Sequence, residues 1–407
     1  MQLDRLHGAS HGLAPCSNLF FYGTEAMSKG VIFVTIAPAN QLCLPDGPAA
    51  VTPDWLTTVL RRCGAINQAA VQAIELELFD EAQKGVTSEI VRFRLTYDRA
   101  DENGPATLFG KFSHADPAVR AAIHELGSYQ REIGFYQDLA DGNNLPAPTC
   151  YYSAIDPTTG ASALLLEDLA HLRMTNFAAG CNQQEAELVI HHLTQLHASA
   201  WGNPRLQRMT WLRSFDQDAE VKQAKFQSWW AVTPQKYTES LPGHQLPATF
   251  IALGDRFGQQ AARIFTQLAE PPLTCVHADP HVLNLLFGTQ PGDPPLKLID
   301  WQAIRLGRGM IDVAYFMITS IPVEQRRQTE RPLVQNYYER LHMQGIEGYS
   351  FEQCCTDYRR AAFWSLSVIA SVTALLDMTT TDRQALLQTW FQRMVAFSED
   401  HALAEML

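Results

Sequence analysis

The chain has 407 residues, of which 46% are hydrophobic and 18% charged, and its formal net charge is -12. This composition excludes extensive disorder, and the length favours two lobes over a single core. A negative net charge without a run of Lys or Arg also excludes a nucleic-acid-binding surface, because binding to nucleic acid needs clustered cations.

The first 50 residues are predicted to be an N-terminal extension. The run GVIFVTI, which follows Met27-Ser28-Lys29, imitates the apolar part of a secretory signal but is short and internal. No stretch reaches the roughly 18 consecutive apolar residues that a membrane-spanning helix needs. The eight cysteines include no CxxC pair, so we expect reduced thiols in a cytoplasmic protein without a membrane partner.

A helix and a hairpin are predicted next. Thr52 is suited to cap a helix that begins at Pro53, since proline is favoured at the first helical position. Residues 74–79 and 90–97 then form two predicted strands, because apolar and polar residues alternate along the second one.

The segment between these two strands contains Gly85, Thr87 and Ser88. Its amides and hydroxyls could close over phosphate groups, as glycine-containing loops do in kinases. A surface turn without a ligand is the alternative, and only the motifs further along the chain favour the phosphate-binding interpretation.

A third strand is predicted over residues 108–112, where Lys111 is the only cation. An edge lysine that keeps the strand soluble is one interpretation of this residue. Residues 118–140 carry apolar side chains at helical spacing and predict one helix packed on the sheet, despite two internal glycines. This helix includes two glutamates, Glu125 and Glu132.

An apolar strand is predicted over residues 161–166, and it ends in Glu167-Asp168-Leu169. The two acidic side chains could simply be solvated. Residues 184–201 then have the pattern of a core helix. Its histidines lack the carboxylate or thiolate partner that a zinc site requires, so we do not expect a metal there.

The segment from 201 to 237 is rich in aromatic residues. These are Trp201, Trp211, Phe215, Phe226, Trp229, Trp230 and Tyr237. Most are expected in the core. The alternative is that some of them form an aromatic wall of a substrate pocket, which would suit a flat or apolar ligand better than a polycation.

Polar side chains gather in residues 273–300. A short apolar strand stops at His277-Ala278-Asp279, and a predicted hairpin follows it. Asp279 could accept the proton of a hydroxyl, while Asn284 and Asp300 carry the oxygen ligands that Mg²⁺ prefers. His277 is better suited to fix the loop by hydrogen bonds than to act as a base.

The motifs HADPHVLN and IDWQ resemble those of the aminoglycoside phosphotransferase and choline kinase superfamily, and IDWQAIRLGRGMIDVAYF is most similar to its ecdysteroid-kinase-like branch. One departure is Ala278, where the family has glycine. The resemblance implies an α+β, two-lobed protein-kinase-like fold. An antiparallel N-lobe would span residues 51–168 and bind nucleotide, and a mainly helical C-lobe would span residues 169–407.

The resemblance also implies roles for individual residues. Lys111 would bind the α and β phosphates of ATP, with Glu132, or else Glu125, orienting it. The main chains of Glu167 and Leu169 would bind adenine. The remaining roles are Asp279 as catalytic base, Asn284 and Asp300 as Mg²⁺ ligands, Asp312 as a brace of the catalytic loop, and Gly85, Thr87 and Ser88 as the phosphate-covering loop.

The function that follows is an ATP- and Mg²⁺-dependent kinase that phosphorylates a hydroxyl group of a small molecule. A flat or apolar alcohol, such as a sterol-like compound, fits the aromatic segment best. The alternatives are an antibiotic-inactivating aminoglycoside-type phosphotransferase and a non-catalytic nucleotide-binding protein of the same fold. The sequence does not determine the oligomeric state or the identity of the acceptor.

Overall fold

The computed structural model describes residues 42–79, 87–99, 104–140 and 145–407. Most of the predicted N-terminal extension therefore lies outside the described residues, and so does Gly85. The architecture is α+β, with a five-stranded antiparallel sheet followed by a mainly helical portion.

The first helix, α1 (Pro53–Arg62), begins as the sequence predicts. The Thr52 side chain accepts a hydrogen bond from the Trp55 N–H at 3.2 Å. The buried face of α1 includes Leu56 and Leu60, which join one apolar cluster with the inner face of the sheet. This face therefore anchors α1 to the sheet, and Thr52 caps the start of the helix.

The sheet has the strand order β1-β2-β3-β5-β4. Its strands are β1 (Val71–Leu78), β2 (Ser88–Tyr97), β3 (Thr107–Ser113), β4 (Cys150–Ile155) and β5 (Ser162–Glu167). All neighbouring pairs are antiparallel. The predicted hairpin is confirmed, and β3 lies in the centre of the sheet, so Lys111 is not on an edge strand.

The single helix predicted over residues 118–140 is wrong. The chain instead forms α2 (Pro117–Glu125) and α3 (Ser128–Asp138), separated by Gly127 with φ of 75°. This left-handed conformation suits glycine and ends the first helix. The second glycine, Gly134, has a packing role, because a Cβ at this position would come within 2.4 Å of the Trp211 ring.

The helical portion contains two small β elements. The first is a three-stranded sheet of β6 (Arg173–Met174), β8 (Leu285–Phe287) and β9 (Leu296–Leu298). The second is a two-stranded ladder of β7 (Thr274–Val276) and β10 (Arg305–Gly307). The pairing of β8 with β9 confirms the hairpin predicted before Asp300.

Seven helices surround these strands. They are α4 (Gln183–Ala200), α5 (Ala219–Ser240), α6 (Ala248–Leu268), α7 (Met310–Ser320), α8 (Val323–Met343), α9 (Phe351–Leu375) and α10 (Thr381–Asp400). Helix α7 is buried along its whole length and forms the centre of the larger apolar core. None of the helices in the described ranges is long and apolar enough to cross a membrane.

Much of the aromatic segment lies in this core, as expected. Trp230 is 4% exposed, stacks on Phe226 and donates a hydrogen bond to Asp255 of α6 at 3.2 Å. A Cβ on Gly254 would meet its ring at 2.0 Å, so α5 and α6 approach closely there. Trp230 therefore joins two helices, whereas Trp229 is only partly buried.

Residues Leu42–Leu407 form one compact unit. Three clusters of buried apolar side chains lie within it: a large one among the helices, one under the five-stranded sheet, and a small one of Leu169, Leu172 and Leu286. The lobe boundary expected between residues 168 and 169 stays a prediction.

Candidate functional site

The loop that carries Asp279 is held by a buried carboxylate. Strand β7 ends at Val276, and the next two backbone N–H groups, of His277 and Ala278, donate to Asp312 at 2.8 and 2.7 Å. Asp312 is fully buried in the first turn of α7. The most buried helix of the core thus fixes the loop directly.

A second layer of hydrogen bonds holds Asp312 itself. His197 of α4 contacts the Asp312 carboxylate at 3.0 Å through Nε2 and the Tyr337 hydroxyl at 2.9 Å through Nδ1. All three side chains are completely buried. His197 is therefore a structural histidine, and in the described ranges no group of three His, Cys, Asp or Glu side chains could hold a metal.

Ala278 adopts a backbone conformation that favours glycine. Its φ is 67°, in the left-handed region, where a Cβ atom costs about 1 kcal/mol or more. Its carbonyl accepts a hydrogen bond from the Trp364 indole at 2.7 Å. This contact and the Asp312 bond hold the peptide in place, which explains how alanine is accommodated where the family has glycine.

His277 has the loop-fixing role expected of it. Its Nε2 contacts the Ile299 carbonyl at 3.0 Å, and its Nδ1 accepts from the Asp279 N–H at 3.3 Å. The ring therefore connects the loop of Asp279 to the residue before Asp300. Burial lowers the pKa of His277, which favours the neutral ring needed for these contacts.

Asp279 lies beside Asn284 and His281. The Asn284 amide donates to the Asp279 carbonyl at 3.0 Å and to its carboxylate at 3.3 Å. The His281 Nε2 lies 3.6 Å from the other carboxylate oxygen. Burial raises the pKa of Asp279, although the carboxylate retains 22% of its exposure. The group is thus accessible and a stronger proton acceptor than a free aspartate.

Lys111 is paired with two carboxylates across the site. Its Nζ lies 2.8 Å from Glu132 of α3 and 2.7 Å from Asp300. Burial opposes the charge of Lys111, but the two carboxylates raise its pKa, while the ammonium lowers the pKa of Asp300. Of the two candidate partners, Glu132 makes the contact, and Glu125 is exposed.

The strand after the predicted phosphate loop reaches the same cluster. Thr87 donates to the Gln302 side chain at 3.2 Å, and Gln302 donates to Asp300 at 3.1 Å. The Thr87 carbonyl accepts from Tyr129 of α3 at 2.6 Å. Ser88 is buried at the start of β2. Gln302 therefore connects Asp300 to the sheet.

The segment predicted to bind adenine is held by ion pairs. Glu167 contacts Lys297 at 3.0 Å, and Asp168 contacts Arg92 at 2.6 Å. These acidic side chains are therefore not simply solvated. The Glu167 N–H already donates to the Thr149 carbonyl. The main-chain group of Glu167 that would contact adenine is therefore its carbonyl oxygen. Leu169 lies just after the end of β5.

The proposed metal ligands fit a hard cation. Both hydrogen bonds of the Asn284 side chain are donated by its NH₂ group, which leaves the carbonyl oxygen as the ligand atom. Each Asp300 oxygen accepts one hydrogen bond, from Lys111 or Gln302, and a carboxylate oxygen has a second lone pair. Mg²⁺ takes one or two protein ligands and completes its shell with water and phosphate.

Several residues of the site were not assigned from the sequence. These are His281, Gln302, Trp364, Arg305 and Tyr315, whose ring lies 6.3 Å from that of His281. His281 and Gln302 lie inside the two motifs, so their position alone could have indicated them. Tyr315 and Trp364 come from distant helices, and no local pattern connects them with Asp279.

A model of the ecdysteroid kinase-like family matches residues 83–345, which is more than half of the chain. The chain belongs to the ecdysteroid kinase-like family. The resemblance inferred from HADPHVLN and IDWQ is therefore confirmed. A search among curated proteins found no match for this ecdysteroid kinase-like protein.

Solved structures agree on the fold. A crystal structure from Ralstonia eutropha JMP134, provisionally described as an aminoglycoside phosphotransferase, matches with a TM-score of 0.51 and 15% identity over 85% of this chain and 97% of that one. The two-lobed protein-kinase-like fold is thus confirmed for this ecdysteroid kinase-like protein.

Two further structures are more distant. Plasmodium vivax ethanolamine kinase has a TM-score of 0.46 and 10% identity, over 80% of this chain and 81% of that one. Choline kinase from Cryptosporidium parvum Iowa II has a TM-score of 0.46 and 10% identity, over 82% of this chain and 91% of that one.

Proposed function

We propose that this protein transfers the γ-phosphate of ATP, with Mg²⁺, to a hydroxyl group of a small molecule. The ion pairs of Lys111 with Glu132 and Asp300 support this most directly. Asp279 and Asn284 lie on the adjacent loop. This set supplies a cation for phosphates, oxygen ligands for a metal and a base.

The nucleotide would lie between the sheet and the loop of Asp279. Lys111 binds its α and β phosphates, and Thr87 and Ser88 belong to the segment that covers them. Asn284 and Asp300 would hold Mg²⁺, which when bound would neutralise charge on the phosphates. We further propose a nucleotide-binding N-lobe over residues 51–168, a C-lobe over residues 169–407, and a cytoplasmic location, where ATP is available.

Asp279 is the proposed base. The acceptor hydroxyl oxygen forms a bond to the γ-phosphorus, its proton moves to the Asp279 carboxylate, and ADP leaves with the electrons of the broken P–O bond. The raised pKa of Asp279 supports this role, because a more basic carboxylate accepts the proton more readily. His281, 3.6 Å away, stabilises the carboxylate before the proton arrives.

The acceptor is proposed to be a flat or apolar alcohol. The His281 ring, beside Asp279, lies within 6.5 Å of the rings of Phe177, Tyr315 and Trp390. These three rings are themselves buried, so the support for an apolar acceptor comes from Trp201, Trp211 and Trp229 of the aromatic segment, which are only partly buried. Apolar area buried against such side chains contributes about 25 cal/mol per Å². Cationic side chains, among them Arg305, lie close to the same loop and disfavour a polycationic aminoglycoside.

A screen of alcohols tests this proposal. We expect ATP-dependent phosphorylation of at least one alcohol, seen as a product heavier by one phosphate and lost when Mg²⁺ is chelated. Sterol-like and aromatic alcohols should have a higher kcat/KM than kanamycin-type or choline-type acceptors. Tight ATP binding without any product from the screen would instead support the non-catalytic alternative.

A further inference from the structure

A group of cationic side chains, here called the basic cluster, lies next to the loop of Asp279. It consists of Arg131 on α3, Arg213 before α5, Lys222 on α5 and Arg305 on β10. Arg131 and Arg305 donate to the adjacent carbonyls of Gln302 and Ala303. The Arg213 carbonyl accepts from the residue after Arg305, and Lys222 donates to the carbonyl of Phe215, whose ring contacts Arg305. Arg305 is paired in the ladder with Val276, the residue that leads into the loop. The proposed phosphotransfer gives these four residues no part in the transfer step, and of Arg305 it uses only the charge, which disfavours a polycationic acceptor.

Arg305 is held in place by aromatic rings. Its guanidinium carbon lies 5.2 Å from the centre of the Phe215 ring and 5.1 Å from that of Trp364. The Trp364 indole in turn donates to the Ala278 carbonyl at 2.7 Å, beside Asp279. The guanidinium is thus oriented before any ligand binds, which reduces the entropy lost on binding.

The guanidinium of Arg305 has free donors. Its Nε donates to the Ala303 carbonyl at 3.1 Å, and among the described residues neither terminal nitrogen has a hydrogen bond and no carboxylate pairs with it. Arg305 is only partly buried, so a ligand from solvent can reach these nitrogens. Two adjacent N–H groups without partners match the geometry of a phosphate, sulfate or carboxylate.

Arg131 adds positive charge, and within the described ranges it has no partner of opposite sign. It is 6% exposed and donates to the Gln302 carbonyl at 2.8 Å, the Leu126 carbonyl at 2.9 Å and the Ser128 hydroxyl at 3.5 Å. These acceptors are neutral. Burial and the charge of Arg305 lower the pKa of Arg131, which indicates that the two guanidinium groups repel each other.

In the part of the chain that the structure describes, the acidic residues that act on the basic cluster are Asp216 and Asp218, fewer than its four cations. Asp218 pairs with Arg213 at 3.1 Å, and both side chains are about half exposed, where an ion pair contributes little. Burial and the charge of Arg305 lower the pKa of Lys222 to about 7, although Asp218 and Asp216 oppose this. An anion bound between the cations would remove this repulsion.

We propose that the basic cluster is an anion-binding site, in which the terminal nitrogens of Arg305 hold a phosphate, sulfate or carboxylate group beside the loop of Asp279. Arg131 contributes its charge, and its own hydrogen bonds stay with the protein. The anion is either free in solution or part of the acceptor alcohol; the second source rests on the proposed kinase function.

Calorimetry with inorganic sulfate tests the site without any need for enzymatic activity. At constant ionic strength, we expect Arg305→Gln to weaken sulfate binding about tenfold or more, because a charge-assisted hydrogen bond is lost. The matched control is Arg256→Gln on α6, an exposed arginine that donates a hydrogen bond to the Leu407 carbonyl. It should bind sulfate as the parent does.

A second variant protects the test against misfolding. Arg305→Lys keeps the charge but cannot donate two parallel hydrogen bonds, so its sulfate affinity should fall between those of the parent and Arg305→Gln. Circular dichroism establishes which variants fold. Sulfate affinity equal to that of the parent in the folded Arg305 variants overturns the proposal.

The source of the anion is decided by kinetics. If the acceptor carries it, an aromatic alcohol with a carboxylate should have a lower KM than its methyl ester, and Arg305→Gln should remove the difference. If the anion is free, sulfate should change the turnover of a neutral alcohol without competing with it. Failure of the kinase function would abolish both kinetic results but leave the calorimetric result intact.

Discussion

At the scale of single residues, the site depends on the chemistry of a few oxygen atoms. Asp279→Asn keeps the volume of the side chain but removes the proton-accepting carboxylate. We expect turnover to fall about 10²-fold or more, with the affinity for ATP little changed. Steady-state kinetics and calorimetry measure the two quantities. Asp46→Asn, in an exposed loop, is the control. Full activity of Asp279→Asn would show that another group takes the proton.

Asp300 is expected to link ATP binding to Mg²⁺. Asp300→Ala removes the charged ligand and leaves the neutral amide of Asn284, which binds a hard cation less strongly. ATP affinity should therefore no longer depend on the Mg²⁺ concentration. Titration of ATP at several Mg²⁺ concentrations measures this, and Asn284→Ala should lose only part of the dependence. The same dependence in Asp300→Ala and parent would contradict the assignment.

At the scale of elements, α7 positions the loop of Asp279 through one side chain. Asp312→Asn replaces one carboxylate oxygen with an NH₂ donor. At least one group that donates to Asp312 then loses its acceptor; these groups are the N–H of His277, the N–H of Ala278 and the His197 ring. We expect a loss of about 1–3 kcal/mol in the free energy of unfolding.

Turnover of Asp312→Asn should fall as well, because the loop loses its orientation, while the affinity for ATP stays close to that of the parent. Urea denaturation and single-turnover kinetics measure the two effects. Asp382→Asn, exposed in the first turn of α10, controls for the change of charge. A variant with parental stability and turnover would mean that Asp312 does not brace the loop.

At the scale of the whole molecule, Glu330 joins three helices of the C-terminal portion. From α8 its carboxylate contacts Arg326 at 2.9 Å, Tyr358 of α9 at 2.6 Å and, just after α10, His401 at 3.0 Å. Burial would raise the pKa of Glu330, but the His401 hydrogen bond and the Arg326 charge lower it.

This lowered pKa predicts a dependence of stability on pH. The Glu330 carboxylate contributes stability that is fully present above its unfolded pKa of about 4.3 and is lost as the pH falls through the lower, folded value. Glu330→Gln should lower the free energy of unfolding by about 1–3 kcal/mol at pH 7. As the pH falls, the variant should lose less stability than the parent loses. Urea denaturation from pH 7 to pH 3 measures this, with the exposed Glu220→Gln as control. Parallel pH profiles of Glu330→Gln and parent would contradict the prediction.

The sequence by itself determined the parts of this protein that depend on neighbouring residues. The cap at Thr52, the hairpin before Asp300 and the order of Asp279, Asn284 and Asp300 all follow from short-range patterns. Local backbone preferences and the spacing of chemical groups along one loop are written in consecutive residues. The split at Gly127 was missed because a periodic apolar pattern continues across the glycine.

Only the tertiary structure decided which distant groups meet. The choice of Glu132 over Glu125 depends on how α3 packs on β3, and the bond from His197 to Asp312 joins residues 115 positions apart. The aromatic segment could not be divided into core and pocket in advance, since burial depends on which helix packs opposite. The surroundings of Arg305 are also set by distant residues. Phe215 and Trp364 supply the rings beside its guanidinium, and no carboxylate of the described residues pairs with it.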